Sequence, residues 1–294
     1  ASDVYKRQDF CYSIIIQYAK ARGLHMKTIT PIQSEWQFYR GAYPVPPGAE
    51  TQTVDLPHTW NAKDGQDGGG DYFRGECCYV KTIRLQKKEN TLYYLAFYGA
   101  NSVCTLYVNG VHIGEHRGGY TLFRFNITGA LKSGENEIIV SVSNFPFPDV
   151  IPLTADFSYF GGIYREVNFI EVSGAHFSLE EFGSDGVLVT YSNTPQIAKS
   201  AQVTVRAAIK GAGIGCRLRV SISQADPFVP CVGIDQPDFE LEQLTDPAQQ
   251  TVAEAETEIT SAQMALTLCV ASPHLWNGRK APFRYKVRCE ILQN

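Results

Sequence analysis

Short runs of alternating apolar and polar residues dominate the chain. Residues 77–85, 92–98, 103–108 and 137–143 read this way, which is the pattern of strands with one buried face. Asn109-Gly110 separates Leu106-Tyr107-Val108 from Val111-His112-Ile113. Both residues accept positive φ, so the pair predicts a type I′ turn and a β-hairpin. Gly118-Gly119 and Gly129 punctuate the next turns, and Gly134-Glu135-Asn136 leads into a strand over Ile138 to Val142. No stretch before residue 175 keeps a helical period for long. Many short strands between Gly and Pro turns predict a sandwich or jelly roll.

A second unit starts near Gly174. Val187 to Tyr191, Val203 to Ile209, Leu218 to Ile222, Met264 to Val270 and Phe283 to Ile291 are five strand candidates. Their spacing suits an immunoglobulin-like sandwich, although the Cys–Trp–Cys arrangement of antibody domains is not evident. Residues 226–250 carry Pro227, Pro230, Pro237 and Pro247 among several acids, and read as a long surface loop. The expected fold class is therefore all-β, a jelly-roll sandwich over 26–173 followed by an immunoglobulin-like sandwich over 174–294 that stops incomplete.

The start of the chain shapes that division. The first Met is Met26. It is read as the natural start, with residues 1–25 as a non-native or disordered extension outside the fold. A signal peptide is the rival reading, with Lys6 and Arg7 as its basic region and Phe10 to Ile16 as its apolar core. That core is short and holds Tyr12 and Ser13.

Composition narrows the function classes. A hydrophobic share of 44% and a charged share of 19% over 294 residues supply cores for two domains. The 16 Tyr and 16 Phe favour strands over helices. A net charge of −4 gives no basic footprint for nucleic acid. No apolar run approaches the ~20 residues of a membrane span. The eight Cys form no C-x-x-C pair, which argues against a zinc knuckle. Several sit in strand-like runs, so free reduced thiols and a cytoplasmic location are expected.

Four segments, in order, carry a resemblance. The first is Leu56-Pro57-His58-Thr59-Trp60-Asn61 with Tyr72-Phe73-Arg74-Gly75. The second is the block from Leu95 to Asn144. The third is Asp156-Phe157-Ser158-Tyr159-Phe160-Gly161-Gly162-Ile163-Tyr164-Arg165. The fourth is Pro273-His274-Leu275-Trp276-Asn277 with Pro282 to Val287. In order and spacing the chain resembles glycoside hydrolase family 2, of the β-galactosidase and β-glucuronidase type. The resemblance implies a sugar-binding jelly roll, an immunoglobulin-like domain and then a (β/α)8 barrel carrying two catalytic glutamates. Retaining enzymes of this kind hold two carboxylates ~5 Å apart. No catalytic residue is assigned within this chain, whose expected partners are a carbohydrate substrate, the missing barrel and, in the intact enzyme, further copies of itself.

By the same resemblance, Asp156 is the leading site candidate. It would reach into the barrel's active site to hold the sugar and, in the intact enzyme, Na+ or Mg2+. A carboxylate suits both tasks, and the rival reading is an Asp capping its own turn. Asp149, in the loop after Asn144-Phe145-Pro146-Phe147-Pro148, is the second substrate-binding candidate, against a solvated loop acid. Gly161-Gly162 should serve geometry. Arg165 should pair with a carboxylate at a domain junction. His58 and Trp60 could form a sugar platform but are read as core packing. His112 and His116 make too small a ligand set for a metal. Asn126-Ile127-Thr128 fits the glycosylation pattern but is read as a turn. Glu180-Glu181 and Glu240/Glu242 are read as solvated. The function expected is the non-catalytic amino-terminal part of a retaining β-glycosidase, β-galactosidase first. The alternatives are a free-standing carbohydrate-binding module and an adhesive sandwich.

Overall fold

The computed structural model describes residues 12–17, 27–64, 71–151, 159–181, 183–193, 200–224, 250–274 and 284–293. The described residues hold strands and no helix. In chain order the strands are β1 (Tyr12–Gln17), β2 (Lys27–Pro31), β3 (Trp36–Tyr39), β4 (Gln52–Val54), β5 (Glu76–Leu85) and β6 (Thr91–Phe97). Next come β7 (Val103–Val108), β8 (Val111–Arg117), β9 (Phe123–Asn126), β10 (Gly134–Ser143), β11 (Val167–Ser173) and β12 (His176–Phe177). The last are β13 (Val187–Asn193), β14 (Ser200–Lys210), β15 (Arg217–Gln224), β16 (Thr251–Glu258), β17 (Gln263–Ala271) and β18 (Tyr285–Leu292).

The chain divides into two compact units. One is Met26–Gly174 with Leu179–Ser184, and the other holds the remainder. In the first, a six-stranded sheet ordered β4-β3-β5-β10-β7-β8 faces a four-stranded sheet ordered β2-β11-β6-β9. Period-two patterning builds the core between them: Cys104, Leu106 and Val108 of β7 and Ile138, Val140 and Val142 of β10 point inward. They meet Tyr93, Leu95 and Phe97 of β6 and Val167 and Phe169 of β11. Phe97 stacks on Phe123 with ring centroids 5.1 Å apart. The predicted hairpin is present, with φ of 52° at Asn109 and 77° at Gly110. The Asn109 side chain ties the turn down by donating to Ala130 O (2.8 Å) and Asn136 Oδ1 (2.9 Å) and accepting from Glu137 N (3.0 Å).

The second unit is also a sandwich. One sheet is ordered β1-β18-β15-β16, and in the other β14 pairs with β12, β13 and β17. Val203, Val205 and Ala207 of β14, Leu218, Val220 and Ile222 of β15, and Val287, Cys289 and Ile291 of β18 are fully buried. All-β architecture with a jelly roll and an immunoglobulin-like sandwich is thus the fold of the chain.

Two differences from the sequence reading stand out. Residues 1–25 were expected outside the fold, yet β1 runs parallel to β18, from Tyr12 opposite Tyr285 to Gln17 opposite Glu290. The β-branched run Ile14-Ile15-Ile16 has the strand propensity for this pairing. In addition, β16 follows the Pro-rich stretch directly and pairs with β15. Its polar text, Thr-Val-Ala-Glu-Ala-Glu-Thr-Glu, lacks the bulky apolar residues that flag a strand. The stretch 226–249 itself, with Glu240 and Glu242, lies outside the described residues. Cys77, Cys78, Cys104, Cys216, Cys269 and Cys289 are free thiols, as expected.

Phe97 is fully buried between the sheets of the first sandwich. Phe97→Ala is expected to cost about 3–5 kcal/mol and to lower the urea midpoint of that unit; an unchanged midpoint would contradict this core.

Candidate functional site

At one end of the first sandwich, the loop Tyr159 to Tyr164 is drawn against the sheet ends, and asparagine side chains pin it there. Asn61 Nδ2 donates to Tyr159 O (2.9 Å) while Asn61 Oδ1 accepts from Gly161 N (2.8 Å). Asn101 Nδ2 donates to Phe160 O (2.9 Å), and its backbone exchanges hydrogen bonds with Gly162 (3.0 and 3.4 Å). Asn144 holds the adjoining turn, accepting from Gly75 N (2.8 Å) and donating to Phe73 O (3.0 Å). All three asparagines are buried. Asn61 and Asn144 each use the side-chain amide as both donor and acceptor, and Asn101 as a donor, as a loop cut off from water requires. The Tyr164 hydroxyl closes the arrangement on Gly119 O.

The two glycines permit this close approach. A Cβ at Gly161 would lie 2.3 Å from the Trp60 indole, and one at Gly162 would lie 2.6 Å from both His58 O and the Tyr79 hydroxyl. Gly162 also has φ of 125°, open essentially to glycine alone. Their role is geometric, as the sequence reading held.

Beside the pinned loop lies a cleft of about 40 Å³, lined by Tyr72, Arg74, Ser102, Asn144, Phe147 and Tyr159 among others. Arg74 packs its guanidinium on the Tyr72 ring at 4.6 Å and reaches Asp71 only at 3.9 Å. Tyr72 and Arg74 belong to the first of the four segments, and no pattern in the sequence marks Asn61, Asn101 or Asn144 as a clamp. Asn61 closes the Leu56–Asn61 motif, but its partners lie about a hundred residues downstream.

The other candidates fall as follows. Asp156 lies outside the described residues, three positions before Tyr159. Asp149 is exposed and held by a two-pronged ion pair, Arg117 Nε to Oδ2 at 2.6 Å and Nη2 to Oδ1 at 2.7 Å. That guanidinium holds the Asp149 carboxyl below its usual range. Arg165 corrects an expectation. It binds carbonyls, Tyr98 O at 3.3 Å just after β6 and Tyr120 O at 3.5 Å between β8 and β9, and stacks on Tyr164, since a guanidinium's N–H groups are served by backbone oxygens as well as by a carboxylate. Glu180 is not simply solvated either, since it accepts from the Tyr94 hydroxyl (2.9 Å) and Asn126 Nδ2 (3.0 Å). Asn126 Oδ1 also accepts from Thr128 N (3.1 Å), so the sequon forms a turn.

His58 and Trp60 pack beside Phe38, with ring centroids 4.9 and 6.2 Å away. His58 Nδ1 bonds the Tyr79 hydroxyl at 2.8 Å. His116 stacks on Phe123 at 3.9 Å and His112 lies against Tyr107 at 5.3 Å. No metal-competent cluster occurs among the described residues.

With this geometry in view, residues 49–173 match the family of glycosyl hydrolases family 2, sugar binding domain. This segment is a glycosyl hydrolase family 2 sugar-binding domain. The chain is similar to a β-glucuronidase of Bacteroides fragilis, 34% identical over 250 residues, covering 82% of this chain and 32% of the relative. Among solved structures it resembles an FMN-binding β-glucuronidase from Facaelibacterium prausnitzii L2-6, at 29% identity and TM-score 0.71 over 92% of this chain and 38% of that one. A putative β-galactosidase from Bacteroides fragilis matches at 30% identity and TM-score 0.73, over 92% and 39%. The chain thus spans between about a third and two fifths of the length of these family 2 proteins.

Gly162→Ala should destabilise the first sandwich by roughly 1–3 kcal/mol from backbone strain alone, read as a lower urea midpoint; a wild-type midpoint would mean the loop is not packed as described. Burial lowers the pKa of both His58 and His116 from 6.5. The unfolded chain therefore binds more protons as the pH falls through about 6.5, and stability present above that pH is lost below it. The melting temperature should drop between about pH 7.5 and 5.5, and drop less in an H58Q/H116Q variant; equal drops would contradict the burial of these rings.

Proposed function

We propose that this chain is the non-catalytic amino-terminal part of a retaining β-glycosidase, with β-galactosidase first. In this reading the jelly roll forms one wall around a terminal sugar and the hydrolytic glutamates come from a barrel outside this chain. The observation that carries the reading is the pinned loop and its cleft. Ligand pockets run to about 300–1,000 Å³, and a cleft of about 40 Å³ is a wall that needs a facing surface to enclose a sugar. The clamps at Tyr159 and Gly161 also fix the segment that follows Asp156, which suits a carboxylate presented to a neighbouring domain. There Asp156 would accept sugar hydroxyls or offer a hard oxygen to Na+ or Mg2+. Free buried thiols support a cytoplasmic location.

A β-glucuronidase is the second reading. Arg74 places a cation on the cleft, which suits a uronate carboxylate, and two of the similar proteins carry that name.

The pure 294-residue chain should release no chromophore from either a chromogenic β-galactoside or a β-glucuronide; turnover by the pure chain would overturn the proposal. In the longer parent enzyme, Asp156→Asn should lower kcat/KM about 10–100-fold, the equivalent of one hydrogen bond to a charged group. Unchanged kinetics would remove Asp156 from the site.

A further inference from the structure

Two large apolar side chains on the rim of the cleft stand in water. Phe145 is 48% exposed and Ile151 is 78% exposed, and both line the cleft. The loop that carries them is anchored. Phe145 N donates to Ser143 Oγ (3.3 Å), Phe145 O accepts from Ser102 Oγ (3.5 Å), and Val150 N donates to Phe147 O (3.0 Å). Arg117 clamps the middle, paired with Asp149 and lying 4.9 Å from the Phe147 ring centroid. Pro146 and Pro148 restrict the backbone between these points. Val150 is buried while its neighbour Ile151 is displayed. The loop thus holds a Phe and an Ile at the cleft and forgoes the gain from burying them.

We propose that Phe145 and Ile151 form an apolar seat for the leaving group of the substrate, so that the parent enzyme favours glycosides of aromatic or alkyl alcohols over disaccharides. This rests on reading the cleft as one wall of a glycosidase site. Area and polarity select the occupant. The two partly exposed side chains offer on the order of 200 Å², about what one aromatic ring covers. A stable protein interface takes roughly 800 Å² from each partner. The polar groups beside them are already spent on backbone. Ser102 Oγ donates to Ser143 O and Phe145 O, and the Asn144 amide serves Gly75 N and Phe73 O. A second sugar needs partners for its hydroxyls, whereas an aryl or alkyl group needs none.

The test compares kcat/KM in the longer parent enzyme for an aryl glycoside and for a disaccharide with the same terminal sugar. The pairs are p-nitrophenyl β-galactoside against lactose, and p-nitrophenyl β-glucuronide against a β-glucuronyl disaccharide. Phe145→Ala/Ile151→Ala should lower the aryl-to-disaccharide ratio at least about tenfold, the scale of lost apolar contacts in substrate discrimination. The loss should appear in KM for the aryl substrate rather than in kcat. An unchanged ratio overturns this inference alone. An equal loss on both substrates with a lower melting temperature also overturns it, since the two side chains would then be packed under another part of the protein. A parent enzyme that cleaves none of the four substrates removes the hydrolase reading, and this inference with it.

Discussion

A loop drawn against the end of a β-sandwich must find hydrogen-bond partners there for the backbone groups that water no longer reaches. In this chain Asn61 and Asn101 meet that requirement for Tyr159 to Gly162, and Asn144 meets it for the turn through Phe73 and Gly75. Each buried group left unpaired would cost about 1–3 kcal/mol. The glycines at 161 and 162, the contact with Trp60 and the entry of the chain into β11 all presuppose these bonds.

Local information sufficed where the physics is local. The Asn109-Gly110 hairpin and the inward faces of β7 and β10 could be read directly, because turn chemistry and period-two burial are written in adjacent residues. The asparagine clamps could not be read this way. Asn61 meets Tyr159 and Gly161 across some hundred positions, and nothing in a single motif announces which amide will serve which carbonyl. Arg165 shows a related limit: its charge suggested a carboxylate, while the fold supplied carbonyl oxygens. Asp149 was legible as a loop acid, but its partner Arg117 sits on a strand 32 residues earlier. The edge strands β4 and β16 were missed because an edge needs only half the apolar content of a central strand.

The cleft has precise walls and little volume, and its chemistry makes sense against a facing surface. Function of this kind resides in what the fold displays rather than in the fold.

The Asn109-Gly110 turn carries a chemical liability as well as a structural role. An asparagine followed by glycine is prone to lose its side-chain ammonia through a cyclic imide, leaving aspartate. Here Asn109 Nδ2 faces two acceptors, Ala130 O and Asn136 Oδ1. After deamidation an anionic oxygen would face them instead, turning two attractions into two repulsions at the tip of the hairpin. The hydrogen bonds that fix the turn also restrain the side chain from the rotation that cyclisation needs, so the native fold slows its own ageing at this position.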